Sequence, residues 1–123
     1  MNIVLVFVGG GLGAAARYLV SGLVHRFVDP AFPYGTLAVN LLGCFAIGFL
    51  ASMVEERFLI NTSVRTFLGI GILGGFTTFS TFSLETLQLV RDANFLLALW
   101  NISLSVVGGL FAAWAGLAVG RMI

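Results

Sequence analysis

The chain has 123 residues, 59% of them hydrophobic and 9% charged, with a mean hydropathy of +1.09, whereas soluble domains carry about 25% charged residues. Such a composition belongs in a bilayer, and at about 20 apolar residues per span it allows four spans and no separate soluble domain. Six Arg, five acids and no Lys give a net charge of +1. That balance leaves no basic stripe to neutralise phosphates and argues against nucleic acid as a partner, while the single Cys44 excludes an intrachain disulfide.

Four apolar stretches follow in chain order, at about residues 3–24, 35–54, 66–90 and 95–120. The first lacks a basic leader and continues past Arg17, so it is expected to be a retained span and not a cleaved signal. Its Gly9-x-Gly11-x-x-Ala14 pattern is a loose dinucleotide fingerprint. That motif has meaning only inside a strand-helix-strand unit with an acidic residue about 20 positions on, and neither is present. His25, Arg26, Asp29, Pro30 and Pro33 form the first connection, where the prolines can stop one helix and shape the start of the next.

Sixteen glycines need a physical reason, because each costs up to about 1 kcal/mol against alanine inside a helix. Close approach of helix backbones supplies one. Gly9 with Gly13, Gly43 with Gly48, and Gly116 with Gly120 have suitable spacing for tight packing and for self-association. Arg57, Arg65 and Arg121 would lie on one face of the membrane and Arg26 and Arg91 on the other, a three-to-two count. So small a bias leaves open both a single topology and insertion in both orientations, with an antiparallel dimer of the two.

Polar groups inside spans are functional candidates by default, since an ionised side chain at a helix centre costs at least about 2.5 kcal/mol. Arg17 can snorkel to the headgroups as an anchor or form a cationic mouth that focuses anions. Asn40 can be interhelical glue or donate to a partly dehydrated anion. Asn101 and Ser105 share a helix face and, with Ser103, suggest a polar track. Glu85 can pair with an Arg or line a wet cavity.

The segment from Gly74 to Ser83 is the most informative. It has two adjacent glycines, two adjacent β-branched threonines and five hydroxyls in the seven positions from Thr77 to Ser83. This is a poor helix and a good break, and a break at membrane depth is tolerated only where protein or water satisfies the freed backbone. Such breaks aim half-helix ends and bare carbonyls at ions. Phe79 and Phe82 are three apart and project to one face of a resumed helix. Their positive ring edges can support an anion, or they can be ordinary packing residues.

Three segments carry a resemblance: GGGLGAAARY (Gly9 to Tyr18), GTLAVNLLG (Gly35 to Gly43) and GILGGFTTFSTFSLE (Gly71 to Glu85) are similar to signature segments of the Fluc/CrcB fluoride channels. The resemblance implies an all-α integral membrane protein of four transmembrane helices, broken in the third, assembled as an antiparallel dual-topology homodimer with two pores. It implies passive export of fluoride, which enters cells as neutral hydrogen fluoride, across a bacterial-type plasma membrane. By the same resemblance Phe79 and Phe82 are the paired pore phenylalanines, Asn40 an amide contacting fluoride, Ser80 and Thr81 parts of a polar track, and Arg17 the vestibule cation. The main-chain carbonyls of Gly74 and Thr77 from both subunits would hold a structural Na+, for which oxygen ligands suit a hard cation. Ser105 would continue the track, although Gly109 stands where a second polar group is expected one turn on. The alternatives are a small four-helix proton-coupled multidrug transporter, for which Glu85 is the one available buried carboxylate, and a non-transporting assembly subunit. No nucleophile is paired with a base, so no enzyme is expected.

Overall fold

The computed structural model describes residues 2–55 and 60–123, all in helices and short connections. Helices α1 (Asn2–Val24) and α2 (Tyr34–Glu55) are unbroken. The third span, Thr62–Arg91, is assembled from α3 (Thr62–Arg65), a π-helical stretch π1 (Thr66–Leu73), α4 (Gly74–Phe76) and α5 (Phe79–Arg91), and α6 (Phe95–Met122) ends the chain. The 22 residues of α2 extend about 33 Å at about 1.5 Å each, enough for a hydrocarbon core of about 30 Å. The four spans coincide with the four apolar stretches, and the chain is a multi-pass membrane protein. Glu56 and Arg57, which entered the charge count, lie outside the described residues.

Local chemistry sets the helix ends. In the first connection Asp29 Oδ1 accepts from the Ala31 amide at 2.9 Å, and the Gly35 amide donates to His25 Nε2 at 3.2 Å. Gly35 is buried, and a Cβ there would run into Ser21 Oγ and the His25 ring, so this close junction of α1 and α2 requires glycine. Asn61 caps α3 by accepting from the Val64 amide at 2.9 Å. After α5 the chain turns through Ala93 at φ 60°, a left-handed position more often given to glycine or asparagine.

The expected glycine faces pack the helices within one chain. A Cβ on Gly9 would come within 2.8 Å of Phe67 O and 2.9 Å of Gly71 Cα, and one on Gly13 would strike Ile72 O and Phe76 N, so α1 lies backbone to backbone on π1 and α4. Gly48 meets the main chain of Ala113, and Gly116 that of Phe45, which joins α2 to α6. The two halves of the third span therefore take different partners: π1 and α4 pack on α1, whereas α5 packs on α6. The break between them is where the chain changes neighbours.

Because the obstacle at Gly13 is main chain that cannot rotate away, Gly13→Ala is expected to cost about 1–3 kcal/mol. Gly11, where an added Cβ meets nothing within 4 Å, is the control: Gly11→Ala is expected to be stabilising by up to about 1 kcal/mol. Unfolding of the two purified variants in detergent checks the contrast.

Candidate ion pathway at the helix break

The site begins with a backbone problem. Helix α4 ends at Phe76, and Thr77 (φ −83°, ψ 156°) and Thr78 (φ −151°, ψ 118°) are extended before α5 resumes at Phe79. The Thr78 amide, which in a continuous helix would donate to Gly74 O, donates instead to Asn40 Oδ1 at 2.8 Å. Asn40 Nδ2 returns the bond to Thr78 O at 2.9 Å. One carboxamide on α2 thus mimics a neighbouring peptide and satisfies both main-chain groups of Thr78. On the other side, Arg17 Nε donates at 3.2 Å to Gly75 O, another carbonyl left over where a helix stops.

The two threonines are held differently. Thr77 keeps its amide and its hydroxyl on Leu73 O, each at 3.0 Å, and its methyl group occupies the space that glycine leaves at Gly43. Thr78 caps α5: its Oγ1 accepts from the Thr81 amide at 3.2 Å, donates to Thr81 Oγ1 at 3.1 Å and lies 3.3 Å from Ser80 Oγ.

Two open recesses flank the break. The first, of about 390 Å³, is lined by Asn40, Gly74, Thr77, Thr78, Phe79, Phe82 and Ser105, among others. The second, of about 710 Å³, brings Arg17 together with His25, Arg26, Thr78 and Thr81. Six of the nine residues singled out from the sequence therefore share the first recess, and Arg17 and Thr81 share the second. Ser80 lines neither; it is exposed and bonded to Thr78. The Phe79 and Phe82 rings are 5.5 Å apart between centroids and tilted by 49°, and Phe79 is 78% exposed on the single chain. Both rings line the first recess, and a tilted pair of this kind carries positive edges as well as negative faces.

Several expectations change. Arg17 is not only an exposed cation or a lipid anchor, because its Nε is committed to the main chain at the break. Asn40 has already used its carbonyl and one N–H on Thr78, which leaves one N–H of the carboxamide unengaged. Asn101 does not join Ser105 in a track: it is 2% exposed and donates to Thr86 Oγ1 at 2.8 Å, which in turn donates to Phe82 O at 2.8 Å. It ties α6 to α5. Ser105 stays in the recess with its Oγ buried and without a hydrogen-bond partner, as is Oε1 of Glu85. The structural ion pair considered for Glu85 is not seen among the described residues. Two residues were missed. Cys44, set aside because it cannot form a disulfide, lines the first recess, with its Sγ 3.3 Å from where a Gly109 Cβ would stand. Thr78 was passed over as a site although the Thr78-x-x-Thr81 spacing already carries a capping signal.

Asn40→Leu removes both partners of Thr78 and leaves its part-buried amide without a protein acceptor, at an expected cost of about 1–3 kcal/mol. Thermal unfolding of the detergent-solubilised variant measures it, and a wild-type transition would mean that the pair is dispensable.

The comparisons with known proteins agree over almost the whole chain. Residues 4–117 match the family described as CrcB-like protein, Camphor Resistance (CrcB). The fluoride-specific ion channel FluC of Magnetococcus marinus is 46% identical over 123 residues, which cover 100% of both chains. FluC of Desulforapulum autotrophicum is 44% identical over 98% of this chain and 96% of its own, and that of Hydrogenovibrio crunogenus 43% identical over 98% and 92%. With its four spans, its broken third helix and this likeness from end to end, the chain belongs to the CrcB family.

Proposed function

We propose that this chain forms a fluoride-selective passive ion channel of a bacterial plasma membrane, exporting fluoride from the cytoplasm and so limiting its toxicity. The observation that carries the reading is the recess at the helix break, where Asn40, Phe79, Phe82 and Ser105 stand together in a family whose relatives are named fluoride-specific ion channels. The proton-coupled drug transporter has no support among those relatives.

The electrostatics suit a small anion. Arg17 and Arg26 in the second recess raise the local anion concentration by focusing the field in a low-dielectric setting. Deeper in, a full cation would hold the ion too tightly, because conduction needs binding weak enough to release. Weak donors replace it there: the remaining Asn40 N–H, the threonine and serine hydroxyls, and the edges of the tilted Phe79 and Phe82 rings. The unpartnered Ser105 Oγ is one such donor.

The exposed Phe79 and the exposed glycine Gly74 belong in this reading to a face covered by a second copy, and the small arginine bias supports an antiparallel dual-topology homodimer. A structural Na+ at the centre of that dimer is part of the same proposal. The donor chemistry fits it: Gly74 O is released by its usual amide, since Thr78 N–H goes to Asn40, and Thr77 O lies in extended backbone. Among the described residues no cluster of His, Cys, Asp or Glu could hold a metal, so a hard cation here relies on main-chain oxygens, two from each copy.

Flux from fluoride-loaded proteoliposomes, started with a potassium ionophore, tests the channel. The expected result is rapid fluoride release and retained chloride; no release from verified dimers overturns it. In the same assay Phe79→Ile and Phe82→Ile are expected to lower flux at least tenfold per folded dimer, because the aliphatic chain lacks the ring quadrupole, and preparation without sodium is expected to abolish it. Wild-type flux in both single variants would return the rings to packing, where similar-sized swaps cost under about 1.5 kcal/mol.

The dimer has its own test. With a cysteine introduced beside Arg121, one-sided labelling of intact cells is expected to modify about half of the chains if both orientations insert; labelling of nearly all or none contradicts dual topology.

A further inference from the structure

On the fluoride-channel reading, one question is how an ion leaves the arginine-lined recess and reaches the phenylalanine-lined one. We propose that the Thr78 hydroxyl is the transfer point between them, a specificity-determining group of the pathway and not only the cap of α5.

Among the described residues, Thr78 is the single one common to the walls of both recesses. Every other polar lining residue belongs to one side, Arg17, Arg26 and Thr81 among those of the larger, Asn40, Thr77 and Ser105 among those of the smaller. Its main chain is fixed from α2, through the paired bonds of 2.8 and 2.9 Å with Asn40, so the side chain is presented at a set place in the partition. That side chain also sits in a group of three hydroxyls, 3.1 Å from Thr81 Oγ1 and 3.3 Å from Ser80 Oγ.

The proton count gives the chemistry. A hydroxyl has one proton and two lone pairs. Thr78 Oγ1 accepts from the Thr81 amide and directs its own proton to Thr81 Oγ1, so Ser80 must be the donor in their contact. The Thr81 proton is then spoken for by no protein acceptor in this cluster and is free toward the larger recess. An anion taken up there by Thr81 draws the Thr78 proton around onto itself, since a hydroxyl rotor turns to suit its acceptor. On the far side of Thr78 the ion meets the spare N–H of Asn40 and the ring edges of Phe79 and Phe82. Through this partition the ion is always faced by hydroxyl protons and never by a fixed cation, which favours an anion that accepts strong hydrogen bonds over a larger, weaker acceptor such as chloride.

The rival role is capping alone, and the two differ in what each variant does. Serine restores both cap and hydroxyl, aspartate restores the cap but repels an anion, and glycine is tolerated at helix starts nearly as well as threonine without any hydroxyl. In the proteoliposome assay Thr78→Ser is expected to keep flux within threefold of wild type, while Thr78→Val, Thr78→Gly and Thr78→Asp fall at least tenfold per folded dimer. If Thr78→Val does not fold, the glycine and aspartate variants decide. Flux within threefold of wild type in folded Thr78→Gly or Thr78→Asp overturns the transfer role and leaves the channel standing. An inactive wild type, by contrast, removes the channel reading itself and this inference with it.

Discussion

Everything distinctive about this chain depends on one pair of hydrogen bonds, those between the Asn40 carboxamide and the main chain of Thr78. A helix cannot stop inside hydrocarbon without partners for the groups it releases, each of which costs several kcal/mol unpaired. Asn40 supplies both partners from a neighbouring helix at once, and Arg17 supplies a third at Gly75 O. The break is therefore braced by side chains at both main-chain groups of Thr78 and at Gly75 O, and is not a loose joint. Two residues usually read as ion-binding groups are first of all struts, and whatever they do for an anion they do with what is left over: one amide N–H and the unengaged part of a guanidinium.

That break determines the packing around it. Upstream, π1 and α4 lie so close to α1 that Gly9, Gly13 and Gly75 have no room for a methyl group. Downstream, α5 leans on α6, where the buried Asn101 joins it through Thr86. A straight helix could not serve both neighbours. The change of direction opens one recess on each side of Thr78, and the side chains that line them differ in kind: arginines and a histidine on one side, phenyl rings and an amide on the other. The π-helical turn fits this arrangement, as such wide turns tend to accompany functional sites.

On the channel reading, a passive pore for a strongly hydrated anion must attract the ion without trapping it, and the distribution of charge suits that requirement. Arginines line the wider recess, and the smaller one, with Asn40, Phe79, Phe82 and Ser105, has no charged side chain in its wall. Ser105 and Glu85 each keep a buried oxygen without a partner. Such atoms are costly in a protein built only for stability; on the channel reading the Ser105 hydroxyl is free to donate to an anion, whereas the Glu85 oxygen can only accept, from water or a neighbouring donor.

Much of this was legible in the residues. Four spans, their boundaries and the place of the break follow from hydropathy and from Gly74, Gly75, Thr77 and Thr78, because the bilayer allows so few backbone solutions. The paired Phe79 and Phe82, at helical spacing, were legible for the same reason. Partnership was not. No periodicity shows that the Asn40 carboxamide meets the peptide groups of a residue 38 positions away, that Arg17 reaches Gly75 O, or that Asn101 and Ser105, one turn apart, face different neighbours. A hydrogen bond is directional and a few tenths of a nanometre long, so which groups satisfy one another depends on the angles at which helices cross. The sequence by itself determined that the third span must break and which residues are expensive to bury; only the tertiary structure decided which of them pay for the break and which remain free to meet an ion.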